Sequence, residues 1–515
     1  MMITAVAVNA GQPKLIVGIV VDGLQEGTLE MLRPQLEAGG FNRFLKDGVV
    51  LENIDYGTNL DATAATAVLM TGASANINGI SGERKYNPDA RRTNHIFDDA
   101  SAVGNFTNEK LSPSALNVTT LSDEARIAGA GVTYVYALAP NAAQALVLGS
   151  HAGNSAVWFD ENTGQWASTR YYKDMPSVAV NANRTNTLRN RIDNSQWTPA
   201  DITQFVVPLQ EHLKHYPFTY TFSSKDSDRY ARFAGSPLMN DEISELAREY
   251  LRSLELGRHE GTDVLNLAFN LQPYEWSKTA ENRYELYDSY IRLDKSLAQL
   301  FSAIDSTVGK ENAIIYLAGT PPQNQRRRYD EKWNIPAGEF SSRRAVSLLN
   351  LYLIAKYGNG EWVTAYNDKN FYLNAELAKK LDKDIYTIRR DAADFLIRMA
   401  GVGHSYTIED VINAEPRVPN AEGKSRNTVV ANAGDVMIEI IPGWSLIDDY
   451  NLAGAKTRYT YSESPTTGIF MISAPDLTPH RIGNTVDARA IAPALAGMMH
   501  IRSPNGAGTP AVSFK

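Results

Sequence analysis

The sequence predicts an α/β protein: a doubly wound, mainly parallel sheet with helices on both faces and inserted cap segments. Three observations carry this. Lys14-Leu-Ile-Val-Gly-Ile-Val-Val-Asp22 is an almost unbroken, β-branched apolar run, as expected of a central strand buried on both faces. Further apolar runs alternate with helical patterns along the chain, which argues for strands and helices wound together rather than segregated. The 515 residues, 43% hydrophobic and 21% charged, match a folded protein long enough for one large α/β unit carrying insertions.

Taken in order, the chain opens with Met-Met-Ile-Thr-Ala-Val-Ala-Val-Asn-Ala10, small and apolar, which reads as the remnant of an export signal over residues 1–10. The first strand ends at Asp22. A helical pattern through Met31, Leu32, Leu36, Phe41, Phe44 and Leu45 follows, then a strand near Val49–Tyr56. Further strands are expected at Gly131–Leu138, Asp263–Leu271, Ala313–Leu317, Asp435–Ile441 and Gly468–Ser473. The expected helices are Asp241–Leu256, Ala280–Ile304, Ser341–Ala355, Ile385–Ala400 and Ala488–Met499. Between about 159 and 261 the texture turns to Asn, Ser, Tyr and Arg, and this stretch reads as a cap insertion. A second is expected at about 341–419, the remainder of 11–515 forming the α/β unit. In such sheets chemistry collects outside the carboxyl ends of the strands, so the tips after Asp22, Leu271 and Leu317 are the places to search.

Several function classes drop out. Fifty Lys and Arg against 58 Asp and Glu give a net charge of −8, which disfavours a dedicated nucleic-acid binder. No apolar run reaches the length of a membrane-spanning helix. With no cysteine, thiolate chemistry, disulfides and cysteine-bound metals are excluded. No Walker A loop and no Gly-x-Ser-x-Gly elbow occurs. Arg326-Arg-Arg328 with Arg343-Arg344 reads as a solvated basic face. His212 and His215 share a helical face but offer at most two ligands. Asp476-Leu-Thr-Pro-His480 has ligand-like spacing inside a Pro-bounded loop.

Beyond these patterns, Val-Gly-Ile-Val-Val-Asp22 with Gly39-Gly-Phe-Asn-Arg-Phe-Leu, Met70-Thr-Gly72, Gly79-Ile-Ser-Gly82 and His151-Ala-Gly-Asn-Ser-Ala-Val-Trp-Phe-Asp160 form a series. It continues through Tyr372-Leu-Asn, Gly434-Asp-Val-Met-Ile and Pro442-Gly-Trp444. In that order they resemble the alkaline phosphatase superfamily, in particular bacterial type I phosphodiesterases and phosphate-irrepressible alkaline phosphatases. The resemblance implies two zinc ions held by Asp and His with a Thr or Ser nucleophile between them, the metals activating the nucleophile and clamping an in-line displacement.

Carried over residue by residue, that implied site is depleted. Asp22 stands at the first zinc-binding Asp, although a strand-end Asp capping the next helix is an equal reading. The nucleophile position falls on Ala62, or on Thr63 with a one-residue shift. Thr66 and Asn78 stand where relatives carry His. An Asp and His expected beyond Asn270 are replaced by Pro273 and Ser277, and an Asp-His pair after the next strand by Thr320 and Pro321. Tyr461–Gly468 supplies no late His. Phosphate donors are replaced by Asn141 and Ala143, and by Glu83, an anion where an anion would bind.

The resulting expectation is a pseudoenzyme with no catalytic residues, no metal and no cofactor, serving as a scaffold, accessory or regulatory subunit in a bacterial cell-envelope complex. Its partners are then envelope proteins, with an outer-membrane complex among them, and the chain is exported to the periplasm or envelope. Two alternatives stand beside it. One is a zinc-dependent phosphodiesterase or phosphatase with an atypical site at Asp22 and Thr63; the other is a small-ligand binding module using the former cleft.

Overall fold

The computed structural model describes residues 12–58, 60–88, 90–185, 187–200, 218–277, 283–322, 338–413, 428–430, 433–441, 443–450, 457–460 and 466–514. The expected signal remnant, the 326–328 arginines, His212 and His215 lie outside them.

An eleven-stranded sheet organises the molecule. Its strands are β1 (Leu15–Asp22), β2 (Val49–Asp55), β3 (Gly104–Asn105), β4 (Val135–Ala139), β5 (Ser155–Asp160), β6 (Gln165–Thr169), β7 (Asp263–Asn270), β8 (Ala313–Gly319), β9 (Thr467–Ser473), β10 (His480–Ile482) and β11 (Val486–Asp487). Their spatial order is β10-β2-β9-β8-β1-β7-β4-β5-β6-β3, with β11 also paired to β2. The central run β8-β1-β7-β4-β5 is wholly parallel. Antiparallel β9 and β6 flank it. The fold is therefore the mixed, mostly parallel α/β sheet expected.

Period-two alternation divides β1 between two cores. Leu15, Val17, Ile19 and Val21 enter one, and Ile16 and Val20 the other. Seven of its eight residues are buried, which accounts for the continuous apolar run. Gly18 is small for a reason: a Cβ there would stand 2.3 Å from the Tyr316 hydroxyl oxygen and 2.6 Å from Asn266 Oδ1.

The helices used below are α1 (Phe41–Asp47), α2 (Ala62–Thr71), α3 (Ala142–Gly149), α4 (Pro237–Ser253), α5 (Arg283–Thr307), α6 (Ser342–Tyr357) and α7 (Ile385–Leu396). Those expected at 241–256 and 280–304 are α4 and α5, which supply Ile243, Tyr250, Leu293 and Leu297 to the same core as Leu15 and Val17. Helices α2 and α3 supply Val68, Leu69 and Leu146 to the opposite core. The single helical pattern expected over 31–45 is broken. One helix ends at Leu32, Arg33–Gln35 is a 3-10 turn containing Pro34, and α1 begins only after Gly40. Asp294 fixes that start, its carboxylate accepting from Phe41 N at 2.7 Å and Glu37 N at 2.6 Å.

Residues 159–261 contribute β6 to the sheet and α4 to its face. Trp197, Phe222, Tyr230 and Phe233 of this stretch join the core shared with β1. The described residues between Glu339 and Thr460 instead build a lobe with two small sheets and a core of its own, around Phe340, Leu349, Trp362, Phe371, Ile388 and Ile438. The strand expected at 435–441 is Val436–Ile440 and belongs to this lobe, not to the main sheet. No helix among the described residues is long and apolar enough to cross a membrane.

Candidate functional site

The parallel register sets Asp22 beside Asn270 and Val21 beside Gly319, so the carboxyl ends of β7, β1 and β8 lie side by side. All three tips singled out in the sequence meet here. The turns beyond them close on Asp22. Thr320, fully buried, donates its hydroxyl to Asp22 Oδ1 at 2.5 Å, and Gln272 donates its amide to the same oxygen at 3.0 Å. Asp22 does not cap the following helix, whose N-cap is Gln25. That reading of Asp22 is corrected: its carboxylate is turned instead to donors from the two neighbouring strand tips.

Those donors are neutral. Burial pushes the Asp22 carboxyl up to about 6; the Thr320 and Gln272 bonds oppose the rise and the charge of Asp61 adds to it. Asp61 is the N-cap of α2, accepting from Ala64 N at 2.8 Å, and its other oxygen accepts from Glu83 N at 2.7 Å. Burial raises its pKa as well, against its backbone hydrogen bonds, with Asp368 of the second lobe adding to the rise. Asp61 went unremarked as a site residue in the sequence, yet an Asp directly before a helical run is a recognisable N-cap signal.

Glu83 follows from this contact. With its backbone held on Asp61, its carboxyl is raised by burial and by Asp61, and Arg84 alone opposes. Glu109 and Glu161 are raised in the same manner. Burial acts first, then Asp160 and Glu83 on Glu109, and Glu83, Asp160, Glu109 and Glu275 on Glu161. Carboxylates from six separate segments thus act on one another beyond Asp22 and Asp61: Glu83, Asp98, Glu109, the adjacent Asp160 and Glu161, Glu275 and Asp368. No local pattern in the sequence announces this, because only the topology brings those segments together.

The other site candidates are engaged structurally. Thr63 lies in the first turn of α2 at 1% exposure, which leaves its hydroxyl no open approach, and Ala62 beside it carries no nucleophile. Thr66 donates to Ala62 O at 2.6 Å, and Asn78 donates to Ala73 O at 2.9 Å and accepts from Ile80 N at 2.8 Å. Ser277 donates to Glu285 Oε1 at 2.8 Å, while Pro273 and the buried Pro321 offer no side-chain donor atom. Asn141 caps α3, accepting from Gln144 N at 2.9 Å. Residues 461–465 lie outside the described set.

A two-zinc centre requires clustered carboxylate and imidazole ligands. Among the described residues no group of three or more His, Asp or Glu side chains could hold a metal ion. Three of the histidines bond elsewhere: His151 Nδ1 lies 3.0 Å from Asp123 Oδ2, His259 Nδ1 2.6 Å from Asp263 Oδ2, and His480 Nδ1 2.8 Å from Thr478 O. The residues at the strand tips do not fit the metal centre that the resemblance implies.

Comparison with known proteins places the fold. The family model for type I phosphodiesterase / nucleotide pyrophosphatase matches residues 16–468. Alkaline phosphatase PhoV of Synechococcus elongatus is 25% identical over 515 residues, covering 97% of this chain and 92% of that protein. Alkaline phosphatase PafA of Elizabethkingia meningoseptica is 26% identical over 392 residues, covering 72% of this chain and 71% of that protein. The crystal structure of wild-type alkaline phosphatase PafA superposes with a TM-score of 0.82 at 20% identity, covering 97% of this chain and 98% of that one. With its mostly parallel sheet, its strand-tip site and a family match spanning most of its length, this chain belongs to the type I phosphodiesterase / nucleotide pyrophosphatase family of the alkaline phosphatase superfamily.

Proposed function

We propose that this chain is a catalytically silent member of its family, exported to the bacterial envelope and kept there as a scaffold, accessory or regulatory subunit of a protein complex. The observation that carries the reading is the state of Asp22. A zinc-binding carboxylate is ionised and faces a cation. Here the carboxyl at the same strand tip accepts from the neutral side chains of Thr320 and Gln272, and the neighbouring tips carry Pro273, Ser277 and Pro321 where the resemblance implies Asp and His ligands. Phosphoryl transfer needs a field of cationic or metal groups around the transferring phosphate, and among the described residues the strand tips carry no ligand set for such metals. The atypical zinc site at Asp22 and Thr63 is disfavoured on the same ground, and further by the burial of Thr63.

Retention of the whole fold without that field supports a role in binding. Export is supported by the small apolar residues 1–10. The chain, tagged at its C-terminus and produced at native level, is expected to co-purify from its own envelope in mild detergent with a protein at fixed stoichiometry. Recovery with nothing at fixed ratio would contradict the scaffold role.

A further inference from the structure

Helix α6 of the second lobe is apolar on two sides. Ala345, Val346, Leu349 and Leu353 fill the lobe core. On the opposite side Leu348 is 38% exposed and Leu351 60% exposed, with Arg344 and Ala355 also exposed. At 3.6 residues per turn, Arg344, Leu348, Leu351 and Ala355 fall within an arc of about 60° and so form one solvent-facing stripe. Half-buried Tyr352 widens it toward α7, where its ring stacks on Phe395 at 4.7 Å. A soluble helix normally turns charged residues to this side.

The charges around the stripe are arranged for a copy of itself. Lys356 bonds Asp391 at 2.6 Å while Tyr352 stacks on Phe395, so α6 and α7 run antiparallel and Asp394 lies level with the C-terminal half of α6. Among the described residues no carboxylate pairs with the Arg344 guanidinium, and exposed Asp394 makes no salt bridge, although Arg390 one turn before it on α7, itself bonded to Asp410, acts on it electrostatically. The stripe is also self-complementary under a two-fold axis. Packed antiparallel, Leu348 of one copy meets Leu351 of the other, and Arg344 meets Ala355, a small residue that permits close approach. Arg344 then reaches the C-terminal end of the facing helix, where the helix dipole is negative, and comes within about one turn of Asp394.

We propose that this face of α6 and α7 is a homodimer interface, in which the stripe packs isologously against its counterpart and Arg344 pairs with Asp394 across the two-fold axis. The inference stands apart from whether the strand-tip site is silent. The stripe is confined to one side of α6 and the edge of α7, so association is expected to depend on concentration.

Sedimentation velocity on the full chain over a concentration series tests it. The expected result is a monomer–dimer equilibrium that Leu351→Lys abolishes without lowering the melting temperature, since that side chain is solvent-facing. Arg344→Glu should weaken association by about tenfold or more, and the Arg344→Glu/Asp394→Arg double variant should recover most of it. Because the chain contains no cysteine, Leu348→Cys/Leu351→Cys in one chain should give a cross-linked dimer on oxidation. A monomer at every concentration, or a dimer untouched by Leu351→Lys, would overturn the proposal.

Discussion

Replacing Asp22 by Asn is expected to stabilise the protein at neutral pH, by roughly 1 to 3 kcal/mol at about 1.4 kcal/mol per pKa unit. The fold holds this carboxyl at about 6, against an ordinary value of 3.8, so the folded state favours its protonated form. The contribution of Asp22 to stability is therefore fully present below its ordinary value and is lost as pH rises from about 4 through about 6. An Asn retains an Oδ1 able to accept from both Thr320 and Gln272 and carries no charge for Asp61 to repel. The difference between wild type and Asp22→Asn should accordingly vanish near pH 3, grow between 4 and 6, and level off above. Thermal unfolding across this range reads it directly. A protein whose Asp22 bound zinc would respond with the opposite sign at neutral pH, because the substitution would remove a ligand.

A loss of stability is expected at Asp288. This side chain of α5 is fully buried, its Oδ2 accepting from Trp197 Nε1 at 2.6 Å and from Arg292 Nε at 2.8 Å, and its Oδ1 from Ala200 N at 2.5 Å. It fastens the stretch around Trp197 to the helix layer on the sheet. Asp288→Ala leaves the indole and the Ala200 amide without an acceptor while Arg292, half-exposed, can turn to water. The expected cost is about 3 to 5 kcal/mol, read as a lower denaturation midpoint. Asp288→Asn should cost less, since one oxygen still accepts. Equal effects of the two substitutions would show that packing volume, rather than these hydrogen bonds, holds the stretch.

Much of the scaffold was legible because burial writes itself into short apolar runs. Strands β1, β7 and β8 were placed within two residues, each being buried along nearly its whole length. Periodicity alone did not find the break at Pro34 and Gly39-Gly40, where a backbone constraint overrides a continuing apolar pattern. Nor could it assign Val436–Ile440 to the second lobe, because alternation names a strand and not its sheet.

The site was legible in its position and less so in its chemistry. The convergence of the three strand tips follows from the fold class. The Thr320 and Gln272 bonds to Asp22, and the acidic field of Glu83, Glu109 and Glu161, depend on contacts between residues far apart in the chain. Glu83 alone was visible beforehand, as an acid standing where a phosphate donor belongs.

One paired measurement decides whether the strand-tip site is silent: zinc bound per chain after equilibration with excess zinc and removal of the free ion, together with turnover of an aryl phosphate by the same sample. The expected result is substoichiometric zinc and turnover no faster than buffer, unchanged by Thr63→Ala. Two zinc ions per chain, with turnover that Thr63→Ala abolishes, would contradict it.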